Sequence, residues 1–139
     1  MGLIFADLEL VNSFDKELVR RGNIKKEDLK TEKVRALVDT GAYMMCINEH
    51  IKSQLDLPFV KSTEAELADG KIQSVEVVGP LIVNFANRTT SCNAIVMPGN
   101  AEVLLGAIPM EELDVVLNPL KQTIEVNPDS PYMGKTIVK

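Results

Sequence analysis

Tryptophan is missing from this chain of 139 residues, and other aromatics are scarce, with four Phe and two Tyr. The core must therefore be aliphatic, and the 45% hydrophobic content supplies enough material for one domain over residues 1–139. Histidine occurs once, as His50, and cysteine twice, as Cys46 and Cys92, with no CxxC spacing. One His and two distant Cys do not make a zinc site, so no metal is expected, and no cofactor is implied. Both cysteines read as small buried hydrophobes in a reducing compartment. A Cys46–His50 nucleophile pair is disfavoured, because nothing nearby in sequence supports a thiolate. Basic residues are the minority, 15 Lys and Arg against 20 Asp and Glu, for a net charge of −5. That balance gives no sign of the basic face of a nucleic-acid binder. The one basic cluster, Arg20, Arg21, Lys25 and Lys26, is interleaved with Glu17, Glu27 and Asp28 and reads as a solvated face. No apolar run approaches the roughly 20 residues of a membrane helix. The first residues do not read as a secretory signal, since no basic region precedes them and Asp7 and Glu9 interrupt the apolar run. Ala6 stands where a myristoylation motif has Ser or Thr. The expectation is a cytoplasmic protein with neither membrane nor nucleic acid as partner.

What is present is a series of short strand patterns. Ile4, Ala6, Leu8 and Leu10 alternate with Asp7 and Glu9, the period of a half-buried strand. Residues 15–33 form a charged excursion with a helical turn near 26–29. A strand over 34–38 and another over 44–47 follow. Asn48 is placed to cap a short helix over 49–55, with Pro58 beyond its end. Strands over 60–68 and 71–78 flank Asp69-Gly70, the sequence of a tight hairpin turn. Gly79-Pro80 is expected to break the second of them. A further hairpin over 81–97 turns at Asn87-Arg88, and a short apolar strand over 103–105 ends at Gly106. Pro109 suits the first position of a short helix ending at Leu113. A last hairpin spans 115–126, and the tail 127–139 reads as loose. Many short strands with turn signals between them imply an all-β barrel or sandwich.

One motif stands out: Ala36-Leu37-Val38-Asp39-Thr40-Gly41-Ala42. A carboxylate at the end of a buried strand is costly unless paired or hydrogen-bonded. Asp-Thr-Gly arises by chance in roughly one chain in thirty of this length, so its context has to decide. The context is an apolar strand before it and a second apolar-Gly element, Leu104-Leu105-Gly106, further on. In this order of elements the chain resembles the retropepsin-like aspartic peptidases, single-domain relatives of retroviral proteases, and among them the small bacterial members. The resemblance runs from about residue 33 to residue 126. It implies a small closed β barrel of the acid-protease type with one or two short helices. It also implies that Asp69 and Gly70 tip a flap, and that Leu105 and Gly106 form the element packed against the Asp39 loop.

The chemistry of such a site uses two carboxylates that share one proton around a water. One acts as general base on the water, the other as general acid toward the peptide carbonyl. This chain has one Asp in the required context; Asp7, Asp15, Asp28, Asp56, Asp69, Asp114 and Asp129 lack it. The second carboxylate must come from a second copy across a twofold axis, so the resemblance implies a homodimer acting on peptide or protein substrates. It further implies that the Thr40 hydroxyl bonds across the axis and that Gly41 lets backbone approach the carboxylate. Ala42 has no hydroxyl to donate to the carboxylate, which a serine there would have. Two places depart from the retroviral pattern: Tyr43 and Ala107 stand where an Asp and an Arg often pair, so the dimer must be held in another way. The alternative reading is a domain of the same fold that binds peptides or assembles a partner without cutting.

Overall fold

Alternating burial in the first strand sets the architecture. In the computed structural model, which describes residues 2–136 and 138, β1 (Phe5–Asn12) turns Ala6, Leu8 and Leu10 inward and Asp7 outward. It pairs antiparallel with β2 (Thr31–Val38), Phe5 opposite Leu37 and Val11 opposite Thr31. After β3 (Met45–Asn48), the long strands β4 (Phe59–Glu66), β5 (Ile72–Phe85) and β6 (Arg88–Met97) form successive antiparallel pairs. The two-residue β7 (Leu104–Leu105) inserts between β2 and β3. The order is β1-β2-β7-β3-β6-β5-β4, and β5 also pairs with β1. Six strands thus close into a barrel, as expected, and β4 lies outside it as a flange on β5.

A single strand carries both the barrel wall and the flange because of one extra residue. Val78 faces Ala94 and Leu81 faces Cys92, so Gly79 and Pro80 together oppose Asn93. Such a bulge shifts the side-chain phase by one. Val78 before it and Leu81 and Val83 after it consequently reach the same core, with Ala94 and Val96. The outer edge of β5 changes partner here, from Phe59 of β4 opposite Val78 to Asn12 of β1 opposite Leu81. Gly79-Pro80 therefore does not break the strand, contrary to the expectation from sequence. A Cβ on Gly79 would fall 3.1 Å from the Asn93 Cα, at a φ of +140°, so only glycine fits.

The remaining elements brace the barrel. An α-helix, α1 (Ser13–Arg20), takes in the start of the charged excursion, where no regular helix was expected. Asn12 ends β1 and caps α1: its Oδ1 accepts from the Asp15 N–H at 3.0 Å while its Nδ2 donates to the Leu55 carbonyl at 2.7 Å. Asp15 is buried and accepts from both Nζ and the backbone N–H of Lys30, at 3.1 Å each, which closes the excursion onto itself. A 3-10 turn at Lys26–Asp28 lies between them. Asn48 caps α2 (Glu49–Leu55) as expected, accepting from the Ile51 N–H at 2.9 Å, and buries Ile51 and Leu55. α3 (Ala107–Leu113) begins after Gly106, so Pro109 is its third residue and not its first; it remains in the first turn, where a helix lacks an internal acceptor for the N–H. β8 (Val115–Asn118) and β9 (Thr123–Val126) form a separate hairpin. No helix among the described residues is long and apolar enough to cross a membrane.

Arg88 corrects the expected turn between β5 and β6. It opens β6 and is buried, donating through Nε to the Asp114 carbonyl at 3.2 Å and through Nη2 to the Ser130 carbonyl. Asp114, just past α3, gathers the following segment: its carboxylate accepts from Asn127 Nδ2 at 3.0 Å, from the Ser130 hydroxyl and from the Lys135 N–H at 2.9 Å. These bonds hold its carboxyl at a pKa of about 2, below the ordinary 3.8, with the Ser130 hydroxyl the largest contributor and Asn127 next.

Candidate active site

Asp39 is held from both flanks of β2. Leu37 and Val38 pair in parallel with Leu104 and Leu105, and the Asp39 N–H extends this ladder by donating to the Leu105 carbonyl at 3.0 Å. On the other flank the Val38 N–H donates to the Ile4 carbonyl at 2.8 Å. The backbone under the carboxylate is thereby fixed by two strands, while the side chain stays half-exposed at the end of the barrel.

The chain then folds tightly around the carboxylate. The Gly41 N–H donates to Asp39 Oδ1 at 2.9 Å, and the Ala42 N–H to the Asp39 carbonyl at 3.2 Å. A Cβ on Gly41 would lie 3.1 Å from that same Oδ1. Glycine here serves close approach to the carboxylate, without a left-handed backbone. Thr40 is exposed beside it, and Ala42 is half-buried.

The second apolar-Gly element locks the loop. At Gly106 a Cβ would sit 2.2 Å from the Met44 carbonyl oxygen and 2.8 Å from the Tyr43 carbonyl carbon. The two chain segments cross there with no room for a methyl group. Just beyond, the first N–H groups of α3, which have no acceptor within a helix, find one in the loop. Ala107 donates to the Ala42 carbonyl at 2.8 Å and Ile108 to the Tyr43 carbonyl at 3.0 Å. Asp39, Thr40, Gly41 and Ala42 are thus brought together with Leu105 and Gly106, although some 60 residues separate the two segments in sequence.

Asp69 and Gly70 occupy the tip of the β4–β5 hairpin. The Leu67 N–H donates to the Lys71 carbonyl at 2.8 Å and the Gly70 N–H to the Leu67 carbonyl at 2.9 Å. Asp69 Oδ1 accepts from the Lys71 N–H at 3.0 Å, and Gly70 adopts φ +83° with open space around it. This is a three-residue turn with glycine in the left-handed position, one residue longer than the two-residue turn the sequence suggested. Among the described residues no hydrogen bond joins this tip to the Asp39 loop.

The thiols are placed for packing. Cys46 is buried on β3, its Sγ 3.8 Å from the Met44 carbonyl, and its pKa is pushed up to about 11, first by burial and then by the charge of Asp39. His50 is exposed on α2. Cys92 is pushed up to about 12 by burial, with Glu112 adding to it. Neither sulfur is poised as a nucleophile. Two surface depressions, of about 540 Å³ beside Glu9, Lys33 and Asn84 and about 790 Å³ beside Leu3, Phe5 and Lys121, share Asp7 and Arg35; Asp39 lines neither.

Sequence reading missed the Arg88–Asp114 junction that stabilises the end of α3. Its only trace was an Asp directly after a helical pattern, a common and unspecific one. Comparison with known proteins adds a family to this geometry. Residues 28–110, more than half of the chain, match the family described as gag-polyprotein putative aspartyl protease. No match was found among curated proteins. The matched stretch contains β2 with its Asp-Thr-Gly end, the β4–β5 hairpin and the β7-Gly106 lock. The chain belongs to this family of retropepsin-like aspartyl proteases.

Proposed function

We propose that the protein is an aspartic endopeptidase whose catalytic unit is a homodimer, with Asp39 contributed by each subunit. The observation that carries this reading is the presentation of a single Asp39 carboxylate, half-exposed at the barrel end, on a backbone bonded on both flanks and with a backbone N–H of its own loop donating to one oxygen. Such a group is positioned before any substrate arrives, which is what electrostatic catalysis requires. Alone it can act as a base but has no acid partner.

Across a twofold axis the two Asp39 carboxylates face one another. Like charges about 3 Å apart cannot both ionise, so one proton is shared. The ionised member removes a proton from a water between them, and the water oxygen attacks the peptide carbonyl carbon. The protonated member donates to the carbonyl oxygen, giving a neutral tetrahedral diol, which collapses with a proton passed to the leaving amine. Thr40, exposed next to Asp39, supports the pair by hydrogen-bonding across the axis. Ala42 and Gly41 leave the space that the loop needs. The β4–β5 hairpin with Asp69 and Gly70 at its tip closes over the bound peptide as a flap and excludes water. Peptide or protein chains are the substrates, and two free thiols fit work in the reducing cytoplasm.

The test compares wild type with Asp39→Asn on a random peptide mixture from about pH 3 to 8, with oligomeric state recorded. Cleavage by a wild-type dimer that disappears in a folded Asp39→Asn dimer is the expected result. A stable wild-type dimer that cuts nothing overturns catalysis and leaves a peptide-binding or assembly domain.

A further inference from the structure

β6 turns Arg88, Thr90, Cys92, Ala94 and Val96 to one face, and that face is the inner one. Cys92, Ala94 and Val96 pack in the barrel core, so an apolar residue would be expected at the head of this line as well. Arg88 stands there instead, 2% exposed. Its Nη1 is buried and, among the described residues, has no hydrogen-bond partner, while Nη2 lies 3.9 Å from the Asp114 carboxylate. A buried cation with a bare N–H and a loosely placed counterion contributes little stability, and an apolar side chain of similar size often serves as well. What the guanidinium supplies is direction. Its Nε donates to the Asp114 carbonyl at 3.2 Å, at the C-terminal end of α3. Thr90, next on the same face, donates its hydroxyl to the Glu112 carboxylate in the last turn of α3. β6 thus grips the end of this helix twice.

The other end of α3 reaches the Asp39 loop, where Ala107 and Ile108 donate to the Ala42 and Tyr43 carbonyls. α3 has seven residues, so about 10 Å of helix separate the grip from the loop. Pro109 and Leu113 are buried beneath it, but apolar burial is non-directional and does not by itself fix a helix along its axis. We infer that Arg88 is a positioning residue for the Asp39 loop, acting through α3. Arg88 sets where α3 lies on the barrel, and the first turn of α3 sets the Ala42 and Tyr43 carbonyls. These in turn hold the bend in which the Gly41 N–H meets Asp39 Oδ1. The effect on cleavage rests on the dyad reading; the effect on the loop does not.

Amide hydrogen exchange and peptide cleavage by the full chain test this together. Arg88→Met removes the directional bonds and keeps an apolar stem. Arg88→Lys keeps the charge but lacks the fork that serves the Asp114 and Ser130 carbonyls together. Gly22→Ala, strained at φ +77° with nothing near the new carbon, controls for a general loss of stability. Asn87→Ala frees the Pro131 carbonyl without touching α3 and controls for the segment beyond the helix. In Arg88→Met the Ala107 and Ile108 amides should exchange about tenfold or more faster, with a smaller increase in Arg88→Lys, while β1 amides change no more than in Gly22→Ala. The kcat should fall about tenfold or more with KM held within about twofold, the mark of a lost transition-state contact. Asn87→Ala should leave both readouts as in wild type. Ala107 and Ile108 amides that exchange no faster in Arg88→Met than in Gly22→Ala overturn the inference, as does faster exchange with an unaltered kcat. If Arg88→Met does not fold, Arg88→Lys decides on the same two amides. A wild type that cuts nothing overturns the dyad reading instead, and the exchange comparison alone then decides the role of Arg88.

Discussion

Replacing Gly106 by alanine would put a methyl carbon 2.2 Å from the Met44 carbonyl oxygen and 2.8 Å from two carbonyl carbons. All three obstacles are backbone, so no side chain can swing aside. Restoring ordinary contact requires the segments to part by about 1 Å. Overpacking of this kind costs about 1–3 kcal/mol. For a chain of 139 residues each kcal/mol lowers the melting point by about 3–4 °C, so Gly106→Ala should lose about 3–12 °C. The displaced backbone is the one that carries Ala42 and Tyr43, so the Asp39 loop shifts with it. A misplacement of about 1 Å near a reacting group costs about 100-fold in rate. Gly22→Ala is the control: its φ of +77° makes alanine strained, but nothing lies within 4 Å of the new carbon. It should lose about 1–2 kcal/mol and keep full peptide cleavage. Differential scanning fluorimetry and a peptide assay read both. Gly106→Ala with an unchanged melting point, or with lowered stability but wild-type cleavage, would refute the argument that this crossing fixes the loop.

Ala42→Ser offers a hydroxyl to the neighbouring carboxylate and should move the pH optimum of cleavage downward; an unmoved or raised optimum counts against it. Gly70→Val places a β-branched residue at φ +83°, so it should distort the hairpin tip and reduce cleavage while the barrel melts almost normally; unchanged cleavage removes Gly70 from the flap role. Asp114 is depressed in the folded state to about 2 from 3.8, so its stabilising bonds are fully present above 3.8 and lost as pH falls through about 2. The Lys135 amide, bonded to that carboxylate, should report this as a chemical-shift titration near about 2, and Asp114→Ala should abolish the titration and expose the segment beyond Asn127 to protease; an amide that titrates at the ordinary carboxylate value would contradict the assigned bonds.

Much of the fold was legible because local chemistry and global structure agree. The alternation of β1, the Asn48 cap of α2 and the Asp69-Gly70 turn are short-range patterns whose meaning does not depend on distant residues. Asp-Thr-Gly at the end of an apolar strand, with a later apolar-Gly pair, pointed to two segments that the structure packs together. Three things were hidden. Asn12 lies just past the alternation of β1, and its side chain is fixed in the pose that caps α1 by the distant Leu55 carbonyl, which accepts from its Nδ2. Gly79-Pro80 reads as a stop, whereas opposite Asn93 it becomes a bulge within one strand. An arginine next to a turn reads as solvated, and Arg88 is buried only because the Asp114 and Ser130 carbonyls are brought to it from far along the chain. In each case the deciding partner lies outside any sequence window.

The short parallel pairing of β2 with β7 has a consequence for the order of events in folding. Local hairpins such as β4–β5 close early, because little chain entropy is lost in joining neighbours. The Asp39 to Leu105 bond joins segments far apart in the chain, so closing it costs more chain entropy than closing any of the intervening hairpins. The contacts that orient the carboxylate are thus among those the chain meets last. A nascent chain that ends before Leu105 carries the Asp-Thr-Gly sequence without the bond that fixes it, so whatever this motif does waits on the far half of the chain.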